Sequence, residues 1–123
     1  MKKQIMIIED EKDFHEMYAM TFKDEGYNLI HAFDGEEAMQ LLEESRPDLI
    51  ILDMVMDMVT GDTVFLHLKG MQEFADIPVI IVSSMPEKKY LGLKKIDPDF
   101  TYVNKEDLTK DTLLKEVKKR LGL

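Results

Sequence analysis

Leu49-Ile50-Ile51-Leu52-Asp53 decides the fold: four apolar residues closed by an acid. A run this short, with no alternation of polar and apolar residues, reads as a strand buried on both faces. Two further runs share the form. Ile5-Met6-Ile7-Ile8 ends in Glu9-Asp10, and Pro78-Val79-Ile80-Ile81-Val82 ends in Ser83-Ser84. A fourth, weaker run, Tyr102-Val103-Asn104, ends in Lys105. In an open α/β sheet, ligands bind in the crevice beyond the carboxyl ends of the strands. If the four runs are parallel neighbours, three carboxylates, a hydroxyl and an ammonium gather at one edge. That set suits a divalent metal and a phosphoryl group.

Between the runs the pattern turns helical, and strand and helix alternate from end to end, as in a mostly parallel sheet. Phe14, Met17, Tyr18, Thr21 and Phe22 fall on one helical face, and Gly26 stops that helix. Tyr27 to Ala32 reads as a further strand. Asp34 with Glu37 three positions later forms a capping box, and Ala38, Leu41 and Leu42 give the helix its buried stripe. After Asp53 a loop runs from Met54 to Thr60 and is closed by Gly61; the next helix turns Val64, Phe65 and Leu68 inward. Pro86 opens a fourth helical segment containing Tyr90, Leu91 and Leu93, and Pro98 ends it. Thr109 reads as the last N-cap, with Leu108 and Leu113 as a hydrophobic staple and Leu113, Leu114, Val117 and Leu121 as the buried face.

The 123 residues are enough for one domain with a real core, and 45% apolar content is ordinary for a globular chain. No apolar run approaches the length of a membrane span, and Met1-Lys2-Lys3 leads directly into a strand rather than a signal sequence. The absence of cysteine excludes disulfides and thiol chemistry, and fits a cytoplasmic location. A net charge of -9 argues against direct nucleic-acid binding. The basic cluster Lys115, Lys118, Lys119 and Arg120 lies where cations complement a helix C-terminus. Neither a phosphate-binding glycine loop nor a dinucleotide fingerprint is present. His15, His31 and His67 lack metal-binding spacing and read as core or surface residues, and the ten methionines read mainly as core filling.

Clustered carboxylates raise one another's pKa and need a compensating cation, for which Mg²⁺, a hard ion with oxygen ligands, is the natural choice. Glu9, Asp10 and Asp53 supply the oxygen. Singly, each residue has a plainer reading: Asp10 as a helix cap, Ser83 and Ser84 as turn residues, Lys105 as solvated surface. Asp53 has no helical pattern directly after it, which weakens a capping role. A carboxylate there can attack phosphorus if a metal and a cation such as Lys105 neutralise the developing charge.

With those residues in place, the chain resembles the receiver domain of two-component response regulators over nearly its whole length. Ile7-Ile8-Glu9-Asp10-Glu11 is similar to the family's acidic pair and its flanks. Asp53 matches the phosphoacceptor, with Met56 and Gly61 in the following loop; Ser83 matches the family's Ser or Thr, and Tyr102 and Lys105 its switch aromatic and lysine. The resemblance implies a single receiver domain over residues 1–123 of stand-alone type. Its fold would be a doubly wound, flavodoxin-like (βα)5 arrangement: five parallel strands in the order 2-1-3-4-5, flanked by five helices. It implies transfer of a phosphoryl group from a histidine kinase or histidine phosphotransfer protein to Asp53. Mg²⁺ would be held by Glu9, Asp10, Asp53 and the backbone carbonyl of Val55, and Lys105 would hold a phosphoryl oxygen. Ser83 would then swing toward the phosphate and Tyr102 inward, altering the surface for a downstream partner. Self-phosphorylation and autodephosphorylation, rather than conventional turnover, would be its only catalysis.

Some positions depart from the family pattern. Asp57 and Thr60 stand where the family often has proline and aspartate. Glu106 replaces the proline that usually follows the lysine in a cis bond, which points to a trans Lys105–Glu106 bond. Pro98-Asp99 replaces the small-residue pair before the last strand, which predicts a short or displaced fourth helix. Two rival readings differ in class. One is a receiver-like adaptor that is never phosphorylated. The other is a Mg²⁺-dependent phosphatase with an aspartyl nucleophile, which would want an acid where Val55 stands.

Overall fold

The computed structural model describes residues 2–56 and 60–123. Asp57 and the loop residue Met58 therefore lie outside the described residues. The apolar runs form the strands β1 (Gln4–Ile8), β2 (Asn28–Ala32), β3 (Leu49–Asp53), β4 (Val79–Ser83) and β5 (Thr101–Asn104). All neighbours pair in parallel, in the order β2-β1-β3-β4-β5. Among the described residues four α-helices accompany them: α1 (Lys12–Thr21), α2 (Gly35–Glu44), α3 (Gly61–Gly70) and α4 (Lys110–Leu121).

Strand side chains point alternately to the two faces, and this divides the core. Ile5, Ile7, Leu49, Ile51, Ile80 and Val82 pack with Tyr18 of α1, with Phe22 at its C-terminal end and with Leu113 and Val117 of α4. Met6, Ile8, Ile50, Leu52, Val79 and Ile81 pack with Ala38 and Leu42 of α2 and with Val64, Phe65 and Leu68 of α3. Both faces are covered, which is why β3 and β4 are apolar without alternation.

The local signals resolve in detail. Asp34 caps α2 by accepting from Glu37 N–H at 2.8 Å. The return arm of that box differs from expectation: Glu37 accepts from Phe33 N–H, one residue before the cap, at 3.0 Å. Thr109 caps α4 by accepting from Thr112 N–H at 3.1 Å, and Leu108 and Leu113 join the same apolar cluster. Helix α1 ends earlier than expected, at Thr21, and a turn carries the chain to Gly26, whose φ of +78° suits glycine. Glu11 rather than Asp10 is the N-cap of α1, and it makes no side-chain cap bond.

The fourth helical segment, Glu87–Lys95, is a 3-10 helix. Three residues per turn stack positions 87, 90 and 93, so Tyr90 is buried and Leu93 half-buried while Leu91 faces out. Among the described residues, the four α-helices and this segment thus flank the sheet as five helical connections, the fourth of them narrow and mostly exposed. No helix among the described residues is long and apolar enough to cross a membrane.

Candidate functional site

The chain crosses to opposite sides of β1 on its way to β2 and then β3, so the crevice between the ends of β1 and β3 is the topological switch point of the sheet. Glu9 lies just past β1 and Asp53 closes β3. The Glu9 N–H donates to Ala32 O, and the Met54 N–H to Val82 O, each at 3.0 Å, so the strand pairing continues to the edge of the site. Carboxylate oxygens of Glu9, Asp10 and Asp53 converge within 4.8 Å of one another.

Lys105, the first residue of the short 3-10 turn Lys105–Asp107 after β5, brings the opposite charge. Its ammonium stands 3.5 Å from Glu9 Oε1 and 3.4 Å from Asp53 Oδ1. The Phe14 ring lies under it, 4.2 Å from nitrogen to centroid, and attracts the cation through its π face. No peptide bond among the described residues is cis, so Lys105 reaches both acids across the trans bond to Glu106 that the sequence implies.

Glu9 and Asp53 are almost fully buried, at 1% and 2% exposure. Burial first, and then the neighbouring Asp53 charge, pushes Glu9 up to about 8. Burial also raises Asp53, against the lowering effects of the Val55 N–H and Lys105. The Val55 N–H donates to Asp53 Oδ1 at 3.2 Å, and the Glu11 N–H to Glu9 Oε2 at 3.1 Å. Asp53 Oδ2 and Glu9 Oε1 are buried without a hydrogen-bond donor. An all-carboxylate set with such oxygens, in a cluster too crowded for every acid to ionise unaided, fits a hard divalent cation.

Gly61 holds the far end of the loop against the site. Its N–H donates to Met54 O at 3.1 Å. A Cβ at this position would stand 2.4 Å from Met54 Cα and 2.5 Å from the Asp53 carbonyl oxygen, so only glycine lets the start of α3 approach this closely.

Ser83 closes β4, next to β3, and is fully buried. Its Oγ accepts from Met85 N–H at 3.0 Å and is 2.7 Å from the hydroxyl of Tyr90. Tyr102, on β5, donates its hydroxyl proton to the Met85 carbonyl and accepts from Asn104 Nδ2 at 3.0 Å. Val55 lies beside Asp53 with its side chain exposed. Glu9, Asp10, Asp53, Val55, Ser83 and Lys105 therefore lie at the carboxyl edge of the sheet, with Glu9 and Asp53 in direct contact with Lys105, and Tyr102, within β5, is joined to Ser83 through Met85.

Three residues of this neighbourhood are not legible as such in the sequence. Phe14 sits where the helical pattern predicts only a core residue, and Tyr90 where it predicts only apolar content. His15 is buried, as a core histidine should be, but it also braces the acidic turn. Its Nε2 lies 2.7 Å from the Glu9 carbonyl oxygen, and because a carbonyl only accepts, Nε2 carries the proton. Its Nδ1 faces His31 Nδ1 at 2.7 Å. Burial, and then the facing His15, lowers the His31 pKa. A periodicity signal marks such positions as inward-facing and carries nothing about their polar partners.

Comparison with known proteins agrees with this geometry. The sequence profile of the response regulator receiver domain matches residues 5–118. The polar-differentiation response regulator DivK of Brucella anthropi is 36% identical over 88 residues, covering 72% of this chain and 72% of DivK. The uncharacterized transcriptional regulatory protein YcbL of Bacillus subtilis is 34% identical over 79 residues, covering 64% of this chain but only 34% of YcbL, so the chain spans about a third of that longer relative. In fold, the chain superposes on the Vibrio cholerae chemotaxis protein CheY4 with a TM-score of 0.87 at 22% identity, covering 97% of this chain and 98% of that one. A profile match across most of the chain, on a sheet whose switch point holds the matching acids, makes this chain a member of the response regulator receiver domain family of two-component signalling.

Proposed function

We propose that this receiver accepts a phosphoryl group on Asp53, with Mg²⁺ as the metal, from the phosphohistidine of a histidine kinase or histidine phosphotransfer protein. The observation that carries the reading is the approach of Lys105 to both Glu9 and Asp53 at 3.5 and 3.4 Å, from a position more than fifty residues away in sequence from either acid. A carboxylate oxygen of Asp53 attacks phosphorus, the phosphorus–nitrogen bond to the imidazole breaks, and the departing ring nitrogen keeps the electron pair. Glu9, Asp10, Asp53 and the Val55 carbonyl are the residues that would hold the metal, which when bound supplies positive charge to the transferring oxygens. Lys105 neutralises a phosphoryl oxygen from the other side, steadied by the Phe14 ring. Ser83 and Tyr102 then change position, and the surface presented to a downstream protein changes with them.

A receiver-like adaptor that is never phosphorylated gains nothing from two buried carboxylates held side by side, an arrangement that costs free energy unless a cation answers it. An aspartyl phosphatase lacks the second acid it would need, since Val55 stands there. The test is intact mass after incubation with acetyl phosphate and Mg²⁺. One phosphoryl adduct is expected on the parent protein and none on Asp53→Ala; a parent that stays unmodified overturns the reading.

A further inference from the structure

We infer that Tyr90 is a positioning residue that latches the Ser83 hydroxyl in the unmodified protein and must release it when Asp53 is phosphorylated. The inference rests on the phosphoacceptor reading above.

The partners of Ser83 Oγ decide the matter. They are the Met85 N–H at 3.0 Å and the Tyr90 hydroxyl at 2.7 Å, and both belong to the chain that follows β4 rather than to the acidic cluster. Ser83 is fully buried and Tyr90 is 2% exposed, so water does not replace either partner cheaply. A phosphoryl oxygen carries no proton, so Ser83 has to donate to it. To move toward Asp53 on the adjacent strand, Ser83 leaves the Tyr90 hydroxyl. The swing of Oγ toward that strand breaks the 2.7 Å contact whichever of the two hydroxyls donates it.

The bond does not stand alone. Met85 donates its N–H to Ser83 and accepts the Tyr102 hydroxyl proton at its carbonyl, and Tyr102 in turn accepts from Asn104. Tyr90, Ser83, Met85, Tyr102 and Asn104 thus form one continuous hydrogen-bonded chain from the 3-10 segment to β5. The Tyr90 and Tyr102 rings lie 6.2 Å apart between centroids. Displacing Ser83 loosens Tyr90 directly, and through Met85 it disturbs Tyr102. Tyr90 is the one fully buried side chain of Glu87–Lys95, so its release frees the segment that carries the exposed Leu91.

The test is a double-mutant cycle read with beryllofluoride and Mg²⁺, a phosphoryl analogue, titrated by tyrosine fluorescence in a chain with four tyrosines and no tryptophan. Tyr90→Phe keeps the ring packing and removes only the hydroxyl. It should bind the analogue about fivefold more tightly than the parent, the value of one buried hydrogen bond that no longer has to be broken. In a Ser83→Ala background the same substitution should have no effect. A tightening that persists without Ser83, no change in either background, or weaker binding by Tyr90→Phe each overturns the latch. If these results come with a normal phosphoryl adduct on the parent, the latch alone falls. If the parent takes neither adduct nor analogue, the phosphoacceptor reading falls and the latch with it.

Discussion

The two flanks of the acidic site are built differently. On the acid flank, β1 and β3 lie at the centre of the sheet, Glu9 and Asp53 are nearly fully buried, and His15 and Phe14 of the regular helix α1 brace the Glu9 carbonyl and the Lys105 ammonium. On the hydroxyl flank, Ser83 and Tyr102 depend on a loop and on the nine-residue 3-10 helix Glu87–Lys95, in which Tyr90 alone is buried. The hydrogen bonds of a 3-10 helix are poorer than those of an α-helix, and a segment with few buried side chains opens at low cost. On the function proposed above, the groups that do the chemistry are held rigid and the part that responds is hung from a single side chain.

Removing that anchor gives the largest expected effect. Tyr90→Ala should cost about 3 to 5 kcal/mol in urea denaturation, as for other large buried aromatics, while Leu91→Ala next to it should stay within about 0.5 kcal/mol. Equal costs for the two would erase the contrast between the flanks. Gly61→Ala tests the rigid flank. Its Cβ meets the backbone at Met54 and Asp53 rather than a yielding side chain, so a loss of about 1 to 3 kcal/mol is expected, with slower phosphorylation by acetyl phosphate. If stability falls and the phosphorylation rate does not, the rigidity of that flank is not needed for the reaction.

The mildest effect concerns the His15–His31 brace. The folded protein holds His31 below its ordinary value of 6.5, so below that pH the unfolded chain binds the extra proton first. The contribution of His31 to stability is therefore complete above pH 6.5 and is lost as the pH falls through the lowered folded value. Glu9 acts in the opposite sense in the metal-free protein, since a carboxyl raised from 4.5 to about 8 makes stability fall as the pH rises through that interval. Comparing the parent with His31→Gln by urea denaturation across the acid range separates the two. The variant should lose less stability on acidification, and an identical slope would show that the imidazole pair does not strain the fold.

The sequence by itself determined the strands, most helix boundaries and the inventory of reactive groups. Apolar runs such as Leu49–Leu52, the capping residues Asp34 and Thr109, and the acids and lysine at the run ends all act within a few residues of themselves, so their meaning is local and readable. The family resemblance extended this to the strand order. Replacement of the usual small residues by Pro98-Asp99 pointed to a short or displaced fourth helix, whereas the segment runs for nine residues and differs in being a 3-10 helix. Tertiary structure alone decided which groups meet: that Lys105 reaches Glu9 and Asp53 without a cis bond, that His15 braces the acidic turn, and that Ser83 is engaged by Tyr90. Those contacts depend on crossover geometry and on a helix with three residues per turn, and a one-dimensional pattern of hydrophobicity encodes neither.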